Sequence, residues 1–457
     1  MSHRNVAAFR RRVLCFVSAV VVAVVVAFCN SSLAQTTTTS YQRAVGGVSI
    51  DAEGLLNAAQ QDDLGTLSKL RMKALEKIPA DLNETIETRK VSLRGLEAVL
   101  NDCAKNNKPI PDAAKYLGGL QRIRYIFVYP DRKDIVLAGP SEGWTVDAKG
   151  TVVGVTTHRP VILLDDLLVA LRTARAAAQG GISCSINPTT EGLARMNEEM
   201  PGLRQSRDAS MLAAGIEKAL GLQKINIEGV PGASHFARVL VAADYRMKRI
   251  AMAFDPSPVR GLPSYLQMAR PGAKGVMSPR FWLEPKYDAL LRDADGLAFE
   301  LHGSGVKAMT EEDFIASTGN VQHSGKASPM AQRWADLMTE HYTQLAIADP
   351  IFGQLQNCMD LAVVGALIVK DRLTEKSGNS LPTLMESGDL KTEAFNTPKN
   401  VDSKASVLKR GRGWMISVSG GVAINSWGIA DKAKPSDTLT PIRAKAAPSN
   451  DANWWWN

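Results

Sequence analysis

Leu55, Leu56, Ala59, Leu64, Leu67 and Leu70 recur near helical spacing, as do Leu93, Leu96, Val99 and Leu100. This periodicity predicts helices over 51–80 and 86–105. Pro109 and Pro111 interrupt it, and Asp112 starts a short helix through 120. The pattern then turns to strand. Tyr125 to Tyr129 is β-branched and aromatic, Pro130-Asp131 is turn chemistry, and Ile135 to Leu137 forms a second strand. Asp165-Asp166 opens a helix carrying Leu167, Leu168 and Leu171. Strands are expected at 182–186 and 225–227, and helices at 189–199 and 208–220. From His235 to Phe254 one apolar stripe runs through Phe236, Val239, Leu240, Ala243, Met247 and Ile250. Ser234 is its expected N-cap, and Asp244 and Lys248 are expected on its polar side.

A proline-rich stretch over 255–280 predicts a loop. Strands at 281–283, 297–301 and 306–309 follow, then helices over 328–346 and from Pro350 to about 373. The second of these is apolar all round from Leu361 to Val369, which predicts burial between layers. Trp414–Val418 and Val422–Trp427 flank Gly420-Gly421, a hairpin pattern. The whole predicts an α+β protein: a helical N-terminal part over 35–120, an α+β domain over 121–260, and a second α+β domain over 261–429. A C-terminal β-hairpin closes the second domain. The last part, 430–457, is expected to be a disordered tail ending in Trp454, Trp455 and Trp456.

The N-terminus reads as a signal peptide over 1–34. Arg4, Arg10, Arg11 and Arg12 precede an apolar run from Val13 to Phe28, and Ser32-Leu33-Ala34 offers a small-x-small cleavage site before Gln35. Cleavage between Ala34 and Gln35 exports the body to the periplasm or the extracellular space. No transmembrane span is expected in the mature chain. Export also corrects the charge. The leader holds four of the 54 basic residues and none of the 46 acidic ones, so 50 basic face 46 acidic groups, a net of +4. That is too nearly neutral for nucleic-acid binding. Apolar residues make up 45% of the chain and charged residues 22%, which excludes a disordered or collagen-like protein. Cys103, Cys184 and Cys358 remain after cleavage and allow at most one disulfide.

Candidate chemistry is sparse. Gly139-Pro140-Ser141-Glu142-Gly143 matches the nucleophile-elbow pattern, but Trp144-Thr145-Val146 continues as strand where an elbow needs a helix. Asp244 or Asp255 with His302 or His323 could complete a triad around Ser141. Glu300 and His302 share a strand face and could begin a metal site, against the plainer reading of a polar strand face. Cys184 with His235 could be nucleophile and base, against a buried or bridged thiol. Asp165-Asp166, Glu198-Glu199 and Glu311-Glu312-Asp313 are expected at helix ends. Lys409, Arg410 and Arg412 beside Trp414 could grip an anion, or simply discourage edge pairing. Trp454, Trp455 and Trp456 could dock to a partner or fold back on their own body.

Several blocks together carry a resemblance: AVGGVSIDAEGLL (44–56), DIVLAGPSEGW (134–144), PVILLDDLLVALR (160–172), HFARVLVAADYRMKRIAM (235–252) and GWMISVSGGVAINSW (413–427). They resemble a family of exported planctomycete-type proteins classed as a domain of unknown function. The resemblance implies export and one shared body over about 44–430. It assigns no catalytic, cofactor or metal residues. The expected function is a non-catalytic binding or structural component of the cell envelope. Its partner would be an envelope component or a protein reached through the aromatic tail; the alternative is a serine-type hydrolase using Ser141.

Overall fold

The computed structural model describes residues 45–456 except 59–65, 204, 207, 269–275, 278, 316–320, 324, 387–389, 407, 411–412, 416–418 and 448–454. The signal peptide, its Ala34–Gln35 junction and Trp454 lie outside the described residues.

Strand alternation builds two large sheets. One has nine strands, in the order β1 (Val48–Ile50), β2 (Leu55–Ala58), β16 (Asn400–Asp402), β9 (Leu222–Glu228), β8 (Ile182–Pro188), β19 (Ser419–Ile424), β11 (Pro279–Lys286), β14 (Gly305–Ile315) and β15 (Val321–His323). The other has six: β20 (Lys434–Pro435), β12 (Ala289–Arg292), β13 (Ala298–His302), β4 (Tyr125–Tyr129), β5 (Asp134–Ser141) and β3 (Ile86–Ser92). Smaller sheets join β10 (Val276–Met277) with β18 (Gly413–Met415) and β17 (Leu408–Arg410), and β6 (Trp144–Val146) with β7 (Val152–Gly154). Most pairs are antiparallel, the exceptions being β2–β16, β11–β19, β12–β20 and β10–β18. The protein is α+β.

Helices fill the layers around the sheets. Those that matter below are α1 (Leu93–Lys105), α2 (Leu164–Thr173), α3 (His235–Ala251), α4 (Pro329–Glu340), α5 (Pro350–Lys370) and α6 (Leu439–Ala446). Ser92 caps α1 by accepting from the Gly95 N–H, and Ser234 caps α3 by accepting from the Ala237 N–H. Each cap satisfies one of the donors a helix start leaves unpaired. The centre is α5, packed against α2 and α3 and buried from Pro350 to Ile368. It is the one helix among the described residues long and apolar enough to cross a membrane, and the protein's own layers enclose it. Each Leu, Ile, Val or Phe withdrawn from water there is worth roughly 1.5–3 kcal/mol.

The N-terminal part is less helical than its leucines suggest. Leu55 and Leu56 sit in a hairpin with β1, the α-helix among the described residues of 51–80 is Thr66–Ala74, and 86–92 is strand before α1 begins. Two adjacent leucines serve a strand by burying one and half-exposing the other, and Leu56 is the buried one. Gly420-Gly421 is not a turn but lies inside β19, between β8 and β11. A Cβ on Gly420 would collide with the Phe281 carbonyl, and its φ of +145° also calls for glycine. The described hairpin in this region pairs β17 with β18.

Strands from the parts expected at 35–120, 121–260 and 261–429 interleave in both sheets, and residues Ala44–Asn457 cluster as one unit. Where a disordered tail is expected, the chain adds β20 to one edge of the six-stranded sheet and lays α6 against β13.

Candidate functional site

Ser141 closes β5 and is 1% exposed. The chain after it enters β6, not the helix that a nucleophile elbow feeds. Its Oγ accepts from Nε of Arg89 on β3 at 2.6 Å. The rest of that guanidinium donates to the Asp81 carbonyl from Nη1 and Nη2, both at 3.2 Å, and to the Glu84 carbonyl at 3.3 Å. Arg89 is fully buried, and burial pulls it below its ordinary pKa against the opposing charges of Asp81 and Glu84. Among the described residues no histidine bonds to Ser141. Glu142 alongside is a loop tie. It accepts from Gln121 Nε2 at 2.9 Å, the Thr157 N–H at 2.8 Å and the Thr156 N–H at 3.1 Å. Burial raises its pKa, but these donors and the Thr157 hydroxyl outweigh that and hold it below the ordinary value.

The triad partners lie elsewhere. Asp255 is held by Arg249 and Arg246, and Asp244 by Lys248. His302 is exposed, with Asp288 3.9 Å away; the His323 side chain is outside the description. Glu300 is buried and accepts from Arg124 Nε at 3.1 Å. Among the described residues no three His, Cys, Asp or Glu side chains gather to hold a metal.

Cys184 and His235 are kept apart. The thiol faces Asp244 and Lys248 on α3, and burial drives its pKa far up. His235 starts that helix, nine residues before Asp244, about 13 Å along the axis. Its Nδ1 bonds instead to Asp166 of α2 at 2.9 Å. Burial lowers the imidazole pKa, but the Asp166 charge and hydrogen bond more than reverse this, and the net shift is upward. Cys103, Cys184 and Cys358 are all free and buried.

The other charged candidates take structural places. Asp165 accepts from the Glu393 N–H at 3.0 Å, while Glu198 and Glu199 are exposed within a helix. Glu311-Glu312-Asp313 is in β14 rather than at a helix end, where Glu311 pairs with Arg280 at 2.7 Å. The side chains of Lys409, Arg410 and Trp414, and all of Arg412, are outside the description. Trp455 is 6% exposed, its carbonyl accepts from the Ser92 N–H at 2.8 Å, and Trp456 bridges to Val91. The Trp456 indole donates to Asp81 at 2.8 Å. These two residues fold back and cover the β3 edge.

One cluster went unseen in the sequence, and a second was expected at the surface but is buried. The first joins Asp360 of α5 to Arg122, with Nε–Oδ2 at 2.6 Å and Nη2–Oδ1 at 3.0 Å. Tyr287 Oη also donates to Asp360, at 2.7 Å. The lone acid of α5, set just before its stretch of apolar residues, was the available signal, since it calls for a buried cation. The second is the Asp244–Lys248 pair, expected on a polar face but fully buried at the aspartate and 8% exposed at the lysine. Lys248 Nζ donates to Asp244 Oδ2 at 2.7 Å and to the Gly420 carbonyl at 3.2 Å. Burial raises the Asp244 pKa against the pull of Lys248. Lys248, Tyr245 and Arg249 border an open cleft with Gln223, Asp402 and Lys404.

Residues 184–265 match the model of a family described as proteins of unknown function, DUF1598. The matched segment spans most of β8, then β9 and all of α3, and so includes His235 and the Asp244–Lys248 pair. No curated protein matches the chain. No solved structure matches it.

Proposed function

We propose that the protein is an exported, non-catalytic binding or structural component of the cell envelope, acting in the periplasm or outside the cell. One observation carries this reading: the ionisable groups with the most chemistry to offer are spent as ties between distant segments. Arg89 holds Ser141, Arg122 holds Asp360, His235 holds Asp166, and Lys248 holds both Asp244 and the Gly420 carbonyl. A serine nucleophile needs a base at its hydroxyl; Ser141 has a guanidinium there, which can only donate. The leader supports export, and the small net charge of the mature chain supports a partner other than nucleic acid. Trp455 and Trp456 act as a clasp on the body in this reading.

The test combines fractionation with activity-based labelling. The native protein should sit in the envelope or extracellular fraction and resist a fluorophosphonate probe. Labelling that disappears in Ser141→Ala would establish the hydrolase instead.

A further inference from the structure

Two arginines meet where the segments 120–123 and 158–162 lie together over α5. The Ile162 N–H donates to the Leu120 carbonyl at 2.6 Å and joins the segments. Each is also fastened to the helix: the Ile123 N–H donates to Asp360 at 3.2 Å, and Asn357 Nδ2 donates to the Pro160 carbonyl at 3.1 Å. Asn357 and Asp360 are three residues apart, about 4.5 Å along the axis. Arg122 and Arg159 are thereby brought close on a fixed backbone. The turn before Arg159 is held as well, since Glu142 accepts from the Thr156 and Thr157 N–H groups.

The two guanidiniums are not equally matched. Arg122 spends Nε and Nη2 on Asp360, so its charge is balanced and Nη1 is left over. Arg159 is half-buried, yet its side chain makes no hydrogen bond or ion pair among the described residues. Burial lowers the Arg159 pKa, the neighbouring Arg122 charge lowers it further, and no carboxylate opposes them. Arg122, Arg159 and Asp360 together therefore carry one positive charge in excess. A cation drawn out of water without a counter-ion is costly, and an anion removes that cost.

We propose that Arg159 and Nη1 of Arg122 hold the carboxylate group of a small organic acid. A carboxylate presents two oxygens in one plane, which a guanidinium fork meets with parallel hydrogen bonds. It brings a single negative charge, equal to the excess; a phosphate ester brings about 1.5–2. Asp360 fixes one donor, and Glu142 and Asn357 fix the backbone on either side of the other. Little ordering is then left to offset binding. The proposal rests on the reading of the protein as a binding component of the envelope and names a ligand class for it.

The test is thermal unfolding of the purified protein in sodium acetate, with acetamide and with sodium chloride of matched ionic strength as references. Acetate should raise the midpoint saturably, as a ligand of the folded state does, and the references should not. Arg159→Met should lose the saturable rise. In acetate-free buffer it should unfold at or above the parent's midpoint, because it removes a charge that nothing pairs. Arg159→Lys, which keeps the charge and loses the fork, should need about tenfold more acetate or beyond for the same rise. Absence of a saturable rise in the parent would overturn the proposal, as would a rise that survives in Arg159→Met or a stronger effect from inorganic phosphate. So would a lowered midpoint for Arg159→Met in acetate-free buffer, the mark of a purely structural arginine. Fractionation does not involve Arg159, so an envelope location with no acetate effect would refute the site alone.

Discussion

Arg89 and Ser141 offer a quantitative test of whether the serine is structural. Ser141→Ala removes the acceptor of a 2.6 Å bond from a buried guanidinium and leaves Nε without a partner. Hydrogen bonds to charged groups contribute about 1.5–3 kcal/mol, and that range is the expected loss. Arg89→Met strips donors from Ser141 Oγ and from the Asp81 and Glu84 carbonyls together. Each buried acceptor left unpaired costs about 1–3 kcal/mol, so this variant should lose more than Ser141→Ala does. The double variant should fall short of the sum by about 1–2 kcal/mol, because either change alone already breaks the shared bond. Urea unfolding followed in parallel by circular dichroism and tryptophan fluorescence measures all four corners, and coincident transitions license the comparison. Strict additivity, or a Ser141→Ala variant within about 0.5 kcal/mol of the parent, would refute the tie.

Other consequences are equally open to measurement. Trp455→Ala should destabilise by roughly 2–3 kcal/mol in urea unfolding: about 200 Å² of buried indole at about 25 cal/mol per Å² is partly offset by the ordering of a chain end; a loss under about 0.5 kcal/mol would mean the clasp is not seated. The raised pKa of His235 makes protonation stabilising, so that stability is full below the unfolded value near 6.5 and is lost as pH climbs through the higher folded value. Asp166→Asn should flatten this pH dependence, and an unchanged slope would show that another group causes it. Cys103, Cys184 and Cys358 are free and buried, so a thiol reagent should label none of them until denaturant is added; rapid labelling of the native protein would contradict that burial.

How much of this was legible in the sequence depended on the range of the forces involved. Local periodicity located α3 and α5, and Ser234 marked a helix start, because spacing and capping act over a few residues. The strands at 125–129, 135–137 and 182–186 were equally plain. The β1–β2 hairpin was not, since closely spaced leucines suit a helix stripe as well as a strand edge. Gly420-Gly421 carries turn chemistry, yet strands on both sides press against its backbone, a contact only the assembled sheet creates. At the site, burial of Arg89, Asp244 and Asp360 was hidden for a similar reason. Asp360, the lone acid of α5, announces a partner, but Arg122 lies 238 residues away in sequence. The Ser141 motif misled for the opposite reason: five residues define the pattern, whereas a nucleophile is defined by a base that only tertiary structure can supply.

The central claim, an exported body freed from its leader, is tested most directly by intact-mass measurement of the native protein combined with cell fractionation. Export requires a chain beginning at Gln35 in the envelope or extracellular fraction. A cytosolic protein whose mass still includes the first 34 residues would contradict it, and the envelope role would fall with it.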